Sequence, residues 1–159
     1  MLEKDQIAPE FSSVNQDSKV VELSSFQGSK NVVLYFYPKD DTPGCTIEAN
    51  DFTQLASEFS ALNTVIIGVS KDSCESHANF IAKFGLKLDL LADESGELCV
   101  AYDVWREKVK NGETKMAILR STFIIDKQGK LVEALYGVNH EGHAQAMLER
   151  IQQLQFRGV

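Results

Sequence analysis

The run Val32-Val-Leu-Tyr-Phe-Tyr37 constrains the fold of this chain more than any other segment. Six apolar residues in a row, rich in β-branched and aromatic side chains, end at Pro38. They lack the alternation of a strand with one wet face, so they read as a strand covered on both sides. Val65–Val69 repeats that pattern, and the stretch between the two changes to a helical period. Phe52, Leu55, Ala56 and Phe59 fall at i, i+3, i+4 and i+7, with Leu62 continuing the stripe. Thr42 suits an N-cap and Pro43 a first helical position, which predicts a helix from Pro43 to about Leu62.

The rest of the chain fills in around this βαβ unit. Phe11–Leu23 reads as two short strands around the turn Asn15-Gln-Asp-Ser18. Ser73–Phe84 is a predicted helix with Ala78, Ile81 and Phe84 on one face, and Leu88–Leu91 is a candidate short strand. A less regular stretch follows. Ser121–Ile125 and Leu131–Tyr136 are predicted strands joined by the turn sequence Asp126-Lys-Gln-Gly129. A last helix runs from about Glu141 to Leu154, with Ala144, Met147, Leu148, Ile151 and Leu154 as its core stripe. The order β-β-β-α-β-α-β-β-α predicts an α/β sandwich with a mixed central sheet flanked by helices.

At 159 residues the chain can bury a full core as a single domain, without disulfide or metal staples. The net charge of −7, with Lys and Arg scattered among acids, argues against a nucleic-acid partner. No run of about eighteen apolar residues is present, so no membrane span is expected. The opening Met-Leu-Glu-Lys-Asp has acids where a secretory leader would be basic and then apolar, so a cytoplasmic protein is expected. Three cysteines, Cys45, Cys74 and Cys99, have neither CxxC spacing nor a paired metal spacing. In a reducing compartment that count points to a reactive thiol with passengers, not to a disulfide framework.

The segment Pro38-Lys-Asp-Asp-Thr-Pro-Gly-Cys45 leaves the buried strand, turns and enters the helix, so Cys45 lies in the first helical turn. Free N–H groups and the positive end of the helix dipole favour a thiolate there, and the thiolate is the nucleophilic form. Thr42 can direct its hydroxyl to the sulfur or accept a bond from a helix N–H. Gly44 allows a substrate oxygen close to the backbone. A second reading stays open on pattern alone. Cys45, Ala49 and Phe52 share a helical face, so the thiol could equally be a small core residue.

The residues carry a resemblance that bears on this choice. Pro38, Thr42 and Cys45 reproduce the peroxiredoxin pattern Pro-x-x-x-Thr-x-x-Cys. The surrounding YFYPKDDTPGCTIEA resembles the bacterioferritin comigratory protein, or peroxiredoxin Q, subgroup. The likeness extends to IAPEF near the start, Gly68-Val-Ser70, Asp103-Val-Trp-Arg-Glu-Lys108 and Arg120-Ser-Thr-Phe-Ile-Ile-Asp126. It implies a thioredoxin-like (peroxiredoxin) fold and reduction of hydrogen peroxide or organic hydroperoxides without metal, flavin or other cofactor. By position it implies that Cys45 is the peroxidatic nucleophile and that Thr42 hydrogen-bonds thiolate and peroxide. Arg120 matches the arginine that holds the thiolate and polarises the O–O bond, Pro38 shields the pocket, and Glu48 orients Arg120 or a water. Without the resemblance, nothing in the sequence selects Arg120 over Arg106. The implied partners are a hydroperoxide and a thiol reductant, thioredoxin or else glutaredoxin or glutathione. The implied assembly is a monomer or weak homodimer.

The chain departs from the subgroup where the sulfenic acid is reduced. The positions that commonly hold a resolving cysteine are Asn50 and Ile81 here. Cys74 lies seven residues before Ile81, about 10 Å nearer the helix start. A disulfide needs Cα atoms within about 7 Å, so Cys74 could pair with Cys45 only after local unfolding. Two cycles stay open, a one-cysteine cycle with an external thiol and one that uses Cys74. Cys99 reads as packing. His140, His143 and the Cys74-x-x-His77 pair lack the further ligands of a zinc site and read as surface or capping residues. Trp105 reads as core, or as the rim of the site, and Asp40-Asp41 as a solvated turn. A dithiol oxidoreductase is excluded because Glu48 stands where CxxC needs its second thiol. The non-catalytic alternative is a thioredoxin-fold holdase or binding module.

Overall fold

The computed structural model describes residues 1–157. β1 (Ser12–Val14) and β2 (Val20–Glu22) form an antiparallel hairpin around the predicted turn. The Asn15 side chain closes that turn by accepting from the N–H groups of Asp17 and Lys19. After a single 3-10 turn at Leu23–Phe26 comes β3 (Asn31–Phe36), in which every residue is buried.

Alternation along β3 sorts its side chains between two cores. Val32, Leu34 and Phe36 enter one cluster with Ile67, Val69, Leu91, Phe123 and Ile125. Val33, Tyr35 and Tyr37 enter the other with Ile66, Leu90 and Ile124. The six-residue apolar run exists because both faces are covered. The strand lies at the centre of a five-stranded sheet ordered β5-β4-β3-β8-β9. β4 (Thr64–Ser70) and β5 (Asp89–Ala92) join it in parallel, and β8 (Ser121–Ile125) and β9 (Leu131–Tyr136) complete it antiparallel. The predicted mixed sheet is observed, and the candidate strand at Leu88–Leu91 is shifted by one residue.

Four helices supply the second core. α1 (Pro43–Gln54) contributes Cys45, Ala49 and Phe52, and α2 (Ala56–Ala61) contributes Phe59. The single helix predicted from Pro43 to Leu62 is broken at Leu55, whose ψ of 5° leaves the helical range. The stripe survives the break because Phe52 and Phe59 still reach the same core. α3 (Cys74–Phe84) is capped by Ser73, which accepts from Ser76 N at 3.1 Å, and ends at Gly85. Its fully buried residues are His77 and Phe80, while Ile81 and Phe84 of the predicted face pack half-buried against the second core. α5 (His143–Arg157) starts and ends later than predicted but buries Ala144, Met147, Leu148 and Ile151 as expected.

The irregular stretch before β8 contains structure that the periodicity did not reveal. α4 (Glu97–Ala101) packs Leu98 and Cys99 into the first core. β6 (Trp105–Lys110) and β7 (Glu113–Ile118) form a separate hairpin. Its turn is Asn111-Gly112, both at positive φ, the two-residue signature of a type I′ turn. The hairpin is mostly exposed and charged, so hydrophobic pattern could not find it, although its turn sequence could.

Candidate active site

The site forms where the C-terminal end of β3 feeds α1. The first intrahelical bond is Thr46 N to Thr42 O, so the N–H groups of Gly44 and Cys45 face away from any helical acceptor. Cys45 is the third residue of α1 and is 2% exposed, with its side chain in the second core. The thiol packs on the core, as its shared face with Ala49 and Phe52 predicts, and it also meets a cation.

That cation is Arg120, just ahead of β8. Its Nη2 donates to Cys45 Sγ at 3.4 Å, and its Nη1 to Glu48 Oε1 at 2.5 Å. Cys45 and Glu48 are one helical turn apart on the same face, so one planar fork engages both. Arg106 is placed elsewhere, on Asp103 and over the Tyr136 ring. Burial pulls the Arg120 guanidinium down, but the Glu48 carboxylate and the Cys45 sulfur more than offset this and hold it above its ordinary value. Glu48 is fully buried, and burial raises its carboxyl to about 7 against the opposing pull of Arg120. Its Oε2 has no hydrogen-bond partner among the described residues. Tyr35 packs beneath, its phenol pushed far up by burial and then by Glu48 and Cys45.

Other residues of the motif are placed less directly. Thr42 occupies the N-cap position but makes no side-chain cap bond. Its hydroxyl instead donates to Lys39 O at 2.8 Å, which commits its proton and leaves its oxygen free to accept. Pro38 is exposed and lines a hollow of about 510 Å³ with Lys71, Trp105 and Met116. Trp105 is half-buried against the first core and stacks under the Lys71 ammonium, so it serves as both core and rim of that hollow.

Three residues read as surface or solvated are not. Asp40 is buried, accepts from Tyr37 and Ser76 and lies 2.7 Å from His77 Nδ1, so the Asp40-Asp41 pair is only half a solvated turn. His77 is fully buried. His143 is buried with its Nε2 2.7 Å from Thr122 Oγ1, and burial, then the nearby Arg120 charge, lowers it to about 4. Their isolation in sequence hid polar partners that come from other elements.

His140 is a residue of the site that the sequence did not disclose. A Cβ on Gly44 would lie 3.0 Å from His140 Nδ1 and 3.3 Å from Arg120 Nη2. Glycine at 44 thus makes room for an imidazole and a guanidinium side by side over the first turn of α1. The loop bearing His140 is tied to Arg120 by the bond from Val138 N to Arg120 O. No spacing rule links position 140 to position 44.

Cys74 begins α3 and is half-buried; Cys99 is fully buried. Burial, then the hydrogen bond and charge of Asp93, push the Cys99 thiol far up, which agrees with a packing role. No helix among the described residues is long and apolar enough to cross a membrane.

Comparison with known proteins gives a consistent result. The chain matches the AhpC/TSA family over residues 5–134. It is 42% identical over 150-odd residues to peroxiredoxin Bcp of Bacillus subtilis, covering 96% of this chain and 97% of that one. To peroxiredoxin Bcp of Xanthomonas campestris it is 47% identical, covering 74% and 73%. Among solved structures, a cysteine-to-serine mutant of Xylella fastidiosa PrxQ superposes with a TM-score of 0.90 at 34% identity, covering 98% of each chain. The bacterioferritin comigratory protein of Xanthomonas campestris, studied for its alkyl peroxide reduction activity, gives 0.85 at 38% identity and covers 90% of each.

Proposed function

We propose, from the premise that this chain belongs to the AhpC/TSA family as a peroxiredoxin of the Bcp type and is a thiol-dependent peroxidase, that Cys45 is its peroxidatic nucleophile. The carrying observation is the Arg120 fork, with one nitrogen on Cys45 Sγ and the other fixed by Glu48. The alternative of a non-catalytic holdase falls with the premise.

The Cys45 thiolate attacks the terminal oxygen of RO–OH. An S–O bond forms, the O–O bond breaks, and the sulfur becomes a sulfenic acid while RO⁻ leaves and takes a proton from water to give ROH. Negative charge moves from sulfur to the departing oxygen, so the donors must lie around both. Arg120 Nη2 and the N–H groups of Gly44 and Cys45 are such donors, fixed in advance. The Thr42 oxygen, its own proton committed to Lys39 O, accepts a hydrogen bond from the hydroperoxide O–H and orients it. Glu48 positions Arg120, and Pro38 walls the approach.

An external thiol then reduces the sulfenic acid: Cys45–SOH and R′SH give the mixed disulfide and water, and a second thiol frees Cys45. This one-cysteine cycle is favoured because Asn50 and Ile81 hold the common resolving positions. Cys74 belongs to a capped helix start tied to Asp40, so its use as resolving residue requires that start to open. Thioredoxin, glutaredoxin and glutathione are the candidate donors. A monomer or weak homodimer acting as one domain in the reducing cytoplasm completes the reading. Its support is three free thiols and large exposed apolar side chains spread over separate elements.

The test is intact mass after one equivalent of hydrogen peroxide, with a sulfenic-acid trap present. A trapped adduct on Cys45 without a disulfide is expected. A Cys45–Cys74 disulfide would transfer the resolving role to Cys74, and an unmodified Cys45 with peroxide consumed would end the proposal.

A further inference from the structure

Of the three histidines, two are committed to the fold. His77 has Nδ1 2.7 Å from Asp40 Oδ2 and Nε2 2.9 Å from Leu91 O. His143 has Nε2 2.7 Å from Thr122 Oγ1, and burial, then the Arg120 charge, lowers it to about 4 and keeps it neutral. His140 differs from both. It is half-buried, and its ring makes no hydrogen bond among the described residues. A Cβ on Gly44 would lie 3.0 Å from His140 Nδ1, 3.2 Å from its Cε1 and 3.3 Å from Arg120 Nη2. The Nδ1 edge of the ring thus faces the glycine next to Cys45, beside the same guanidinium nitrogen that donates to Cys45 Sγ. Its loop is held by the bond from Val138 N to Arg120 O and by the turn bond from Glu141 N to Asn139 Oδ1.

The chemistry above leaves one need that no protein group meets. In-line attack expels RO⁻ on the side away from the sulfur, and that oxygen must gain a proton. Arg120 holds its protons throughout, and the Thr42 hydroxyl proton is committed to Lys39 O. Glu48 is fully buried, with Oε1 on Arg120. An imidazole, by contrast, takes and gives a proton near neutral pH. The charges around His140 suit its protonated form. With Cys45 and Glu48 both ionised, Arg120 is one cation against two anions, and an imidazolium brings the cluster to neutrality. Glu141, the acid that follows His140 in the chain, is exposed and forms no ion pair with it.

We infer that His140 is the general acid of the reaction and gives its Nδ1 proton to the departing alkoxide or hydroxide in place of water. The inference rests on Cys45 being the peroxidatic cysteine. Cys45–S⁻, ROOH and His140–H⁺ give Cys45–SOH, ROH and neutral His140. The S–O bond forms, the O–O bond breaks with its electron pair on the leaving oxygen, and the proton moves from nitrogen to that oxygen. Once external thiols have returned Cys45 to the thiol, its proton passes to the neutral imidazole and restores thiolate and imidazolium. Over the whole cycle ROOH and two R′SH give ROH, R′SSR′ and water, with no net proton drawn from solvent. Glycine at 44 leaves the space in which the ring and the leaving oxygen meet.

The experiment measures single-turnover formation of the Cys45 sulfenic acid in the full chain, wild type and His140→Gln, with two oxidants. tert-Butyl hydroperoxide expels a strongly basic alkoxide that needs a proton, whereas peracetic acid expels acetate, which leaves without one. Loss of the general acid should slow the first reaction about 10²-fold and leave the second at its wild-type rate. The Gln amide still donates a hydrogen bond but transfers no proton, so a role in shape or positioning would slow both reactions or neither. Wild-type rates with both oxidants, or equal losses with both, would overturn the assignment. A single-turnover rate constant does not depend on how much protein is folded. If His140→Gln yields no folded protein, His140→Ala is read in the same way, with added imidazole expected to restore the tert-butyl hydroperoxide rate. Absence of a Cys45 sulfenic acid in the wild type with either oxidant would instead remove the proposed function, and the general acid with it.

Discussion

Cys45 and Cys99 occupy the same place in two helices and differ in everything that surrounds them. Each is the third residue of its helix, and each is buried. At the start of α4, the Asp93 carboxylate accepts from Leu98 N at 3.1 Å and from Cys99 N at 2.8 Å. The positive end of that helix is thereby neutralised, and the acid that does so also disfavours a thiolate at Cys99. At the start of α1 no carboxylate caps the helix; Gly44 and Cys45 keep their N–H groups, and a guanidinium meets the sulfur. On the proposed reading, a place in a first helical turn does not by itself make a cysteine reactive. What fills the N-terminus decides.

The comparison can be broken at several points. The largest effect is expected from Cys45→Ser, which should abolish peroxide consumption with a thiol donor, whereas Cys99→Ser should keep the wild-type rate. Loss of activity in the second variant would mean that the two helix starts are not functionally distinct. Next, Arg120→Met should slow peroxide reduction by about 10²–10³-fold, the usual cost of losing one fixed donor to developing charge. Stopped-flow rates close to wild type would take Arg120 out of the site. Alkylation by iodoacetamide should slow in parallel, because the cation no longer faces the sulfur.

A smaller effect concerns Glu48, whose carboxyl burial raises to about 7. A raised acid contributes its stability below its ordinary pKa and loses that contribution as pH rises through the folded value. Thermal midpoints of wild type relative to Glu48→Gln should therefore fall between the ordinary carboxylate range and pH 7 or so. Around pH 7, where folded Glu48 ionises, the rate of peroxide reduction should rise as the carboxylate fixes Arg120, and this inflection should be missing from the Gln variant. Identical pH profiles for the two proteins would show that Glu48 does not position the arginine. The smallest effect is Cys99→Ala, which should cost about 1–2 kcal/mol of stability through lost packing, read from denaturant midpoints, with unchanged turnover.

How much of this was legible in the sequence follows from where the signals lie. The VVLYFY strand, the stripes of α1 and α5 and the Asp126–Gly129 turn were readable because their causes are local. The β6–β7 hairpin was missed because its strands are nearly all exposed or half-buried, leaving only Asn111-Gly112 to announce it. Cys45 and Thr42 could be singled out because the β3–α1 junction is continuous in the chain, whereas Glu48 was named by resemblance. Arg120 could be named only by resemblance, since 75 residues separate it from Cys45.

The sequence by itself determined the layered α/β architecture, the helix start that carries Cys45, and the lack of a cysteine at the two common resolving positions. Only the tertiary structure decided which charges meet. Arg120 reaches Cys45 because β8 pairs with β3, His140 lies over Gly44, and Asp40 closes on His77 and Ser76 across the gap between β3 and α3. Periodicity reports which side of an element is apolar, because burial of a face repeats along the chain. A single buried polar contact repeats nowhere, so its partner is fixed by the fold alone.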